Sequence, residues 1–286
     1  QILYYLLEKI IDNIPNGVEF HKVDLCDLKT LDPLLSGVDV VFHTAATAYD
    51  GFSVFSPYFV TQNVYSNSVS LISASINNNV KRFVFCSSMS RYGEQQIPYH
   101  ENLSPRPITP YGAAKVAAEN ALISLCAIHQ MEYCICVPHN IIGPRQKYDD
   151  PFRNVVSIMV NLILQNRQPI IYGDGEQERC FSDIDDCIYC LDKLLFDKNV
   201  KSQVVNIGPD EENITINELF KILSNKLQFN QKPLYFPDRP NEVKKSYCSS
   251  KKARKILNYK TSVKLNKSID KIIDHIKKVG PKKFKY

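Results

Sequence analysis

The sequence predicts an α/β protein, a doubly wound parallel sheet followed by a smaller C-terminal α/β lobe, and three observations carry that reading. Short apolar runs alternate with stretches of helix-like periodicity, several of the runs end in small polar residues, and the pattern changes near Pro151. In order, Val18 to Val23 roughly alternates apolar and polar residues, Val38 to His43 is a short apolar run, and Lys81 to Cys86 is another. Tyr133, Cys134, Ile135, Cys136 and Val137 read as a buried strand in which cysteine serves as a small apolar residue, and Gln203 to Ile207 as one more. Strands that alternate with helices in this way imply right-handed βαβ units, with ligands at the carboxyl ends of the strands. Beyond Pro151 come helices, short strands and a Pro-rich turn at Phe236 to Pro240, so residues 1–150 are expected to form the sheet domain. Residues 151–286 are expected to form the smaller lobe, with 180–208 returning to the sheet.

A chain of 286 residues, 44% apolar and 23% charged, can bury a large core. No run of about 18 apolar residues is present to span a bilayer, and Gln1 to Lys9 lack the layout of a secretory signal, which points to the cytoplasm. Nine cysteines, an odd number scattered through buried-looking segments, read as reduced thiols rather than a disulfide framework. Cys187 and Cys190 have CxxC spacing, yet no second pair or His follows at a ligand distance, so no metal is expected. The net charge of +5 owes much to C-terminal lysines, among them Lys264, Lys267, Lys271, Lys277 and Lys278. Such runs are solvated faces, and without an Arg-rich stripe interleaved with aromatics they do not indicate nucleic acid.

Chemistry concentrates in Thr109 to Lys115, where Thr109 can cap a helix whose first residue is Pro110. Tyr111 and Lys115 then lie one turn apart, and an ammonium beside the phenol is expected to lower its pKa toward working pH, as a general base needs. A bare YxxxK is weak by itself. Its context is stronger, because the apolar strand Phe83 to Phe85 runs into Cys86, Ser87 and Ser88 and so places hydroxyls at a strand's carboxyl end.

The stretches SSMSRYG, PYGAAK, PHNIIGPRQ and YGDGEQERCFSDIDD, in this order and spacing, resemble the extended short-chain dehydrogenase/reductase family. The resemblance is greatest to its UDP-glucose 4-epimerase branch and runs over nearly the whole chain. It implies a Rossmann domain holding NAD and a C-terminal lobe holding a UDP-sugar. Residue by residue, it makes Tyr111 the catalytic base, Lys115 the ribose-binding lysine, and Ser88 the hydroxyl on the reacting sugar oxygen. Asp24 and Leu25 match the pair beside the adenine, and Thr44, Ala45 and Ala46 the small residues against which the cofactor packs. Asn63 matches a helix asparagine near the active site, and Pro138 a strand end beside the nicotinamide. Asn140, Asn154, Arg179 and Arg239 match the groups that bind the substrate's nucleotide diphosphate, and two guanidiniums suit such a group. His43 and His139 are assigned no role.

The resemblance implies epimerisation at C4 through a transient 4-keto sugar, with a homodimer as the family's usual assembly. In the related 4,6-dehydratases an acidic pair follows the active-site hydroxyl; here Met89 and Ser90 stand there. Ser246, or Tyr247 if the correspondence slips by one, falls where bulk restricts the sugar 2-substituent. Another nucleotide-sugar oxidoreductase or decarboxylase of the same fold stays open. So does a non-catalytic binding protein, because the N-terminal strand and Gly-rich turn that receive a pyrophosphate are missing. Gln1 to Ile10 reads as a helix, so the sequence is expected to begin after that turn. A steroid-type oxidoreductase predicts an apolar substrate lobe and fits less well, given Asn154 and Arg179.

Overall fold

The computed structural model describes residues 14–240 and 242–284, so the helix expected at Gln1 to Ile10 lies outside the described residues. Four parallel strands form the central sheet: β1 (Val40–His43), β2 (Arg82–Cys86), β3 (Glu132–Pro138) and the strand Gln203–Ile207, side by side in that order. Cys86 stands opposite Cys136, and Val137 opposite Asn206, so the carboxyl ends of these strands come out together.

Side chains of successive residues point to opposite faces of a strand, and here both faces are covered. Phe83, Phe85, Ile135 and Val137 face one core with Leu71, Ile72, Ala118 and Leu122, from helices Asn67–Asn77 and Pro110–His129. Val84, Cys134, Cys136, Val205 and Ile207 face the other, with Cys187, Cys190 and Leu194 from helix Ile184–Phe196. That two-sided burial is why these strands read as near-continuous apolar runs. Cys187 and Cys190 are core residues here, all nine cysteines are free, and no metal-binding cluster occurs among the described residues.

Val18 to Val23 does not form the expected strand. It forms neither helix nor strand and is largely exposed, with Val18 and Phe20 open to solvent and Val23 packed on the core. A strand is defined by its ladder, and among the described residues none pairs with this segment or with the outer edge of β1.

A third core joins helices Val155–Leu164, Ile216–Leu227 and Leu265–Val279. Beside it lie three short strands, Glu178–Cys180 between Asn213–Thr215 and Lys245–Ser246. The last helix buries Ile269, Ile272, Ile273 and Ile276 at helical spacing, and Lys267, Lys277 and Lys278 occupy its exposed face. These three lysines are therefore a solvated helix face, whereas Lys271 pairs with Asp183 and Asp185. Among the described residues, no helix is long and apolar enough to cross a membrane.

Candidate active site

Thr109 has extended backbone, and its hydroxyl accepts the Gly112 N–H at 3.1 Å, which caps the helix that starts at Pro110. The cap holds Tyr111 in the first turn, buried against Val60, Val64 and Ala114. Gly112 is required by proximity, because a Cβ there would stand 2.6 Å from the Ser90 carbonyl oxygen. The start of this helix thus packs directly on the loop that follows β2. Within that loop, Ser88 caps a short 3-10 turn by accepting the Ser90 N–H, and its hydroxyl donates to Ser90 Oγ at 3.2 Å.

Two buried charges tie loop and helix together. Arg91 and Glu119 form an ion pair of 3.0 Å with both side chains buried, and the Ser87 hydroxyl also donates to Glu119. Lys115, one turn before Glu119, is buried and donates to the Cys86 carbonyl oxygen at 2.7 Å. Its ammonium stands 4.7 Å from the centre of the Phe85 ring and 5.9 Å from that of Tyr111.

The phenol differs from the expectation. Burial pushes the Tyr111 pKa well above its ordinary value, the Cys86 thiol pushes it further, and the neighbouring Ser88 hydroxyl pulls it back. Lys115 points at the end of β2 rather than at the phenol oxygen, and burial lowers its own pKa.

That cavity, about 610 Å³, opens at the carboxyl ends of β1, β2 and β3, between the sheet and the C-terminal lobe. Ser88, Tyr111 and Lys115 border it, with Thr44, Ala46 and Pro138 on the sheet side and Asn140, Asn154, Arg179 and Arg239 on the lobe side. Asn140 donates to the Cys180 carbonyl oxygen at 3.0 Å, and Asn154 caps helix Val155–Leu164. Arg179 pairs with Glu242 at 2.5 Å, and Arg239 lies 4.0 Å over the Tyr172 ring. Ser246 borders the cavity, paired in register with Arg179.

Four of the expected residues lie outside this cavity. Asp24 accepts the Cys26 N–H in an exposed turn, and Leu25 packs on the core. Ala45 is exposed in the loop after β1, and Asn63 donates to the Phe59 carbonyl oxygen of its own helical turn. His43 and His139 are buried and held neutral, with pKa values lowered to about 3 and about 4, chiefly by burial.

Sequence reasoning missed Asp50 and Arg153, which also border the cavity. Asp50 Oδ1 accepts the Thr109 hydroxyl at 2.6 Å. Arg153 lies 4.2 Å over the Tyr49 ring and donates to its hydroxyl at 3.1 Å, while Tyr49 donates to Asp150 at 2.6 Å. The available signal was position alone: Asp50 follows a strand's carboxyl end, and Arg153 adjoins Asn154.

Comparison with known proteins places these residues in context. The sequence profile described as the NAD dependent epimerase/dehydratase family matches residues 7–208. A putative UDP-glucose 4-epimerase of Methanocaldococcus jannaschii is 31% identical over 282 residues, covering 94% of this chain and 90% of that protein. The crystal structure of the Thermotoga maritima UDP-glucose 4-epimerase with UDP-glucose superposes with a TM-score of 0.88 at 27% identity, covering 96% of this chain and 95% of that one. That of a Bacillus cereus UDP-glucuronic acid 4-epimerase with UDP-glucuronic acid and NAD gives 0.87 at 27% identity, covering 96% and 86%.

Proposed function

The chain belongs to the NAD dependent epimerase/dehydratase family, and from that premise we propose that it epimerises a UDP-sugar at C4 through a transient 4-keto intermediate. The observation that carries this reading is the cavity in which Tyr111, Ser88 and Lys115 stand on the sheet side and Arg179 and Arg239 on the lobe side. Phenol, hydroxyl and ammonium suit proton transfer at a sugar alcohol, and paired guanidiniums suit a diphosphate.

The cofactor is NAD, and the residues present fit it. Lys115 carries three N–H donors and makes one hydrogen bond among the described residues, to Cys86, so donors remain for ribose hydroxyls. Thr44 and Ala46 are small, and Pro138 ends β3 beside them on the cavity wall. Bound there, NAD supplies the hydride acceptor and donor for C4.

The protein's own part is protonic and positional. Tyr111, as phenolate, takes the proton of the 4-hydroxyl while Ser88 holds that oxygen, and Lys115 keeps a positive charge below them. Arg179 and Arg239 hold the diphosphate as the 4-keto sugar turns its other face, and Tyr111 returns the proton to the inverted alcohol. Met89 and Ser90, which border the cavity, carry no acid for the elimination a dehydratase performs. Ser246 leaves room for a 2-acetamido group beside Arg179. The test is NMR of UDP-galactose with the full-length protein and catalytic NAD. UDP-glucose is expected, and absence of an epimer from any UDP-hexose despite bound NAD overturns the proposal.

A further inference from the structure

Two thiols that the proposed reaction does not use stand side by side at the edge of the cavity. Cys86 ends β2, and Cys136 is its register partner in β3. Neighbouring strands lie about 4.7–4.9 Å apart, inside the roughly 4.4–6.8 Å between α-carbons that a disulfide spans. Both side chains pack in the same core as Cys187 of helix Ile184–Phe196. The Cys136 thiol donates to the Phe85 carbonyl oxygen at 3.4 Å, so its sulfur leans onto the peptide that joins Phe85 to Cys86.

The two thiols differ in access. Cys86 is half-buried and borders the cavity, whereas Cys136 is fully buried. Of the nine cysteines seven are buried, and Cys26, the exposed one, lies outside the cavity and donates to Asn67. Cys86 is therefore the thiol that a small solute in the cavity reaches.

They also differ in charge. Hydrogen bonding from Cys136 and the positive charge of Lys115, whose ammonium donates to the Cys86 carbonyl oxygen at 2.7 Å, hold the Cys86 thiol below its ordinary value. The hydrogen bond with Cys86 and burial push Cys136 well above it. Thiolate is the nucleophile in thiol oxidation, so attack begins at Cys86, and Cys136 is placed to resolve the product.

We propose that Cys86 and Cys136 are a redox-active dithiol at the NAD cavity, a covalent modification site for hydroperoxides that bound cofactor shields. The Cys86 sulfur attacks one peroxide oxygen, the O–O bond breaks, and an alcohol, or water from hydrogen peroxide, leaves behind a sulfenic acid. The Cys136 sulfur then attacks the Cys86 sulfur, its proton leaves with the displaced hydroxide as water, and a disulfide forms. Two thiols are oxidised and one peroxide is reduced. A thiol reductant reverses the bond by exchange. Cys86 and Lys115 share the cavity wall, so NAD bound there blocks the approach of peroxide.

The test is peptide mapping by mass spectrometry, which reads the sulfurs directly and depends neither on turnover nor on which sugar is the substrate. Full-length protein, stripped of NAD or with saturating NAD, is treated with hydrogen peroxide, and the remaining thiols are alkylated after unfolding. Without NAD the expected product is a Cys86–Cys136 disulfide, reversed by dithiothreitol, with Cys187 and Cys190 still alkylated. NAD is expected to slow its formation at least tenfold. Cys136→Ala removes the resolving thiol and is expected to leave Cys86 as a sulfenic acid that dimedone traps. If that variant fails to fold, the wild-type map decides alone. A bridge from Cys86 to Cys187, oxidation led by Cys26, or no disulfide overturns the proposal, as does a rate unaffected by NAD.

Discussion

The Lys115 ammonium stands 5.9 Å from the centre of the Tyr111 ring and spends its hydrogen bond on the end of β2. One helical turn therefore brings the two residues to the same side of the cavity without a hydrogen bond between them. Burial raises the phenol pKa, so the base role proposed for Tyr111 requires positive charge near the phenol oxygen when substrate and cofactor are bound.

Tyr111→Phe removes the phenol oxygen proposed as the proton acceptor and keeps the ring that packs on Val60 and Val64. Turnover is expected to fall by at least about 10³-fold, while UDP-sugar affinity measured by calorimetry stays within a few-fold. Retained activity contradicts the base assignment.

Glu119→Gln leaves Arg91 as a buried, uncompensated charge beside the active-site loop. Breaking a buried ion pair on one side costs about 3–5 kcal/mol, and urea unfolding is expected to show a loss in that range. A loss below about 1 kcal/mol means the pair is not the tie between loop and helix that its geometry indicates.

Stability should fall as the solution is acidified from about pH 6.5 to pH 5. His43 and His139 are neutral in the fold, with pKa values of about 3 and about 4, whereas unfolded histidines bind a proton below about 6.5. The unfolded state thus takes up more protons in this window, and each histidine removes on the order of 2 kcal/mol by pH 5. Carboxylates, with ordinary values near 4, act mainly below it. Unfolding free energies at pH 7 and pH 5 check this, with His139→Asn expected to flatten the dependence; a flat profile in wild type contradicts it.

Ser246→Tyr fills the cavity beside Arg179. Relative turnover of UDP-N-acetylhexosamine against UDP-hexose is expected to drop at least tenfold, through KM more than kcat. An unchanged ratio shows that the 2-substituent lies elsewhere.

The sheet was legible in the sequence because β2, β3 and the strand Gln203–Ile207 are buried on both faces, so each reads as an apolar run, with cysteine in place of larger residues in β2 and β3. Val18 to Val23 has a strand-like pattern too, yet among the described residues it joins no sheet. Tyr111, Lys115 and Ser88 could be placed together because each follows a strand end or a helix cap. Asp50 and Arg153 could not: the loop after β1 and the turn before Asn154 bring them to the cavity, and a lone Asp or Arg there looks like any surface charge. The direction of the phenol's pKa was misread for a related reason, since spacing gives neighbours on a helix but not where a flexible ammonium points.

The most direct test of the C4 mechanism follows the hydrogen on that carbon. UDP-galactose deuterated at C4 is incubated with full-length protein and catalytic NAD, and the product is read by NMR and mass spectrometry. Removal and return of the same hydride predicts UDP-glucose that keeps deuterium at C4, with none gained from deuterated solvent in the converse experiment. Solvent hydrogen at C4, or a product that has lost its label, contradicts the account.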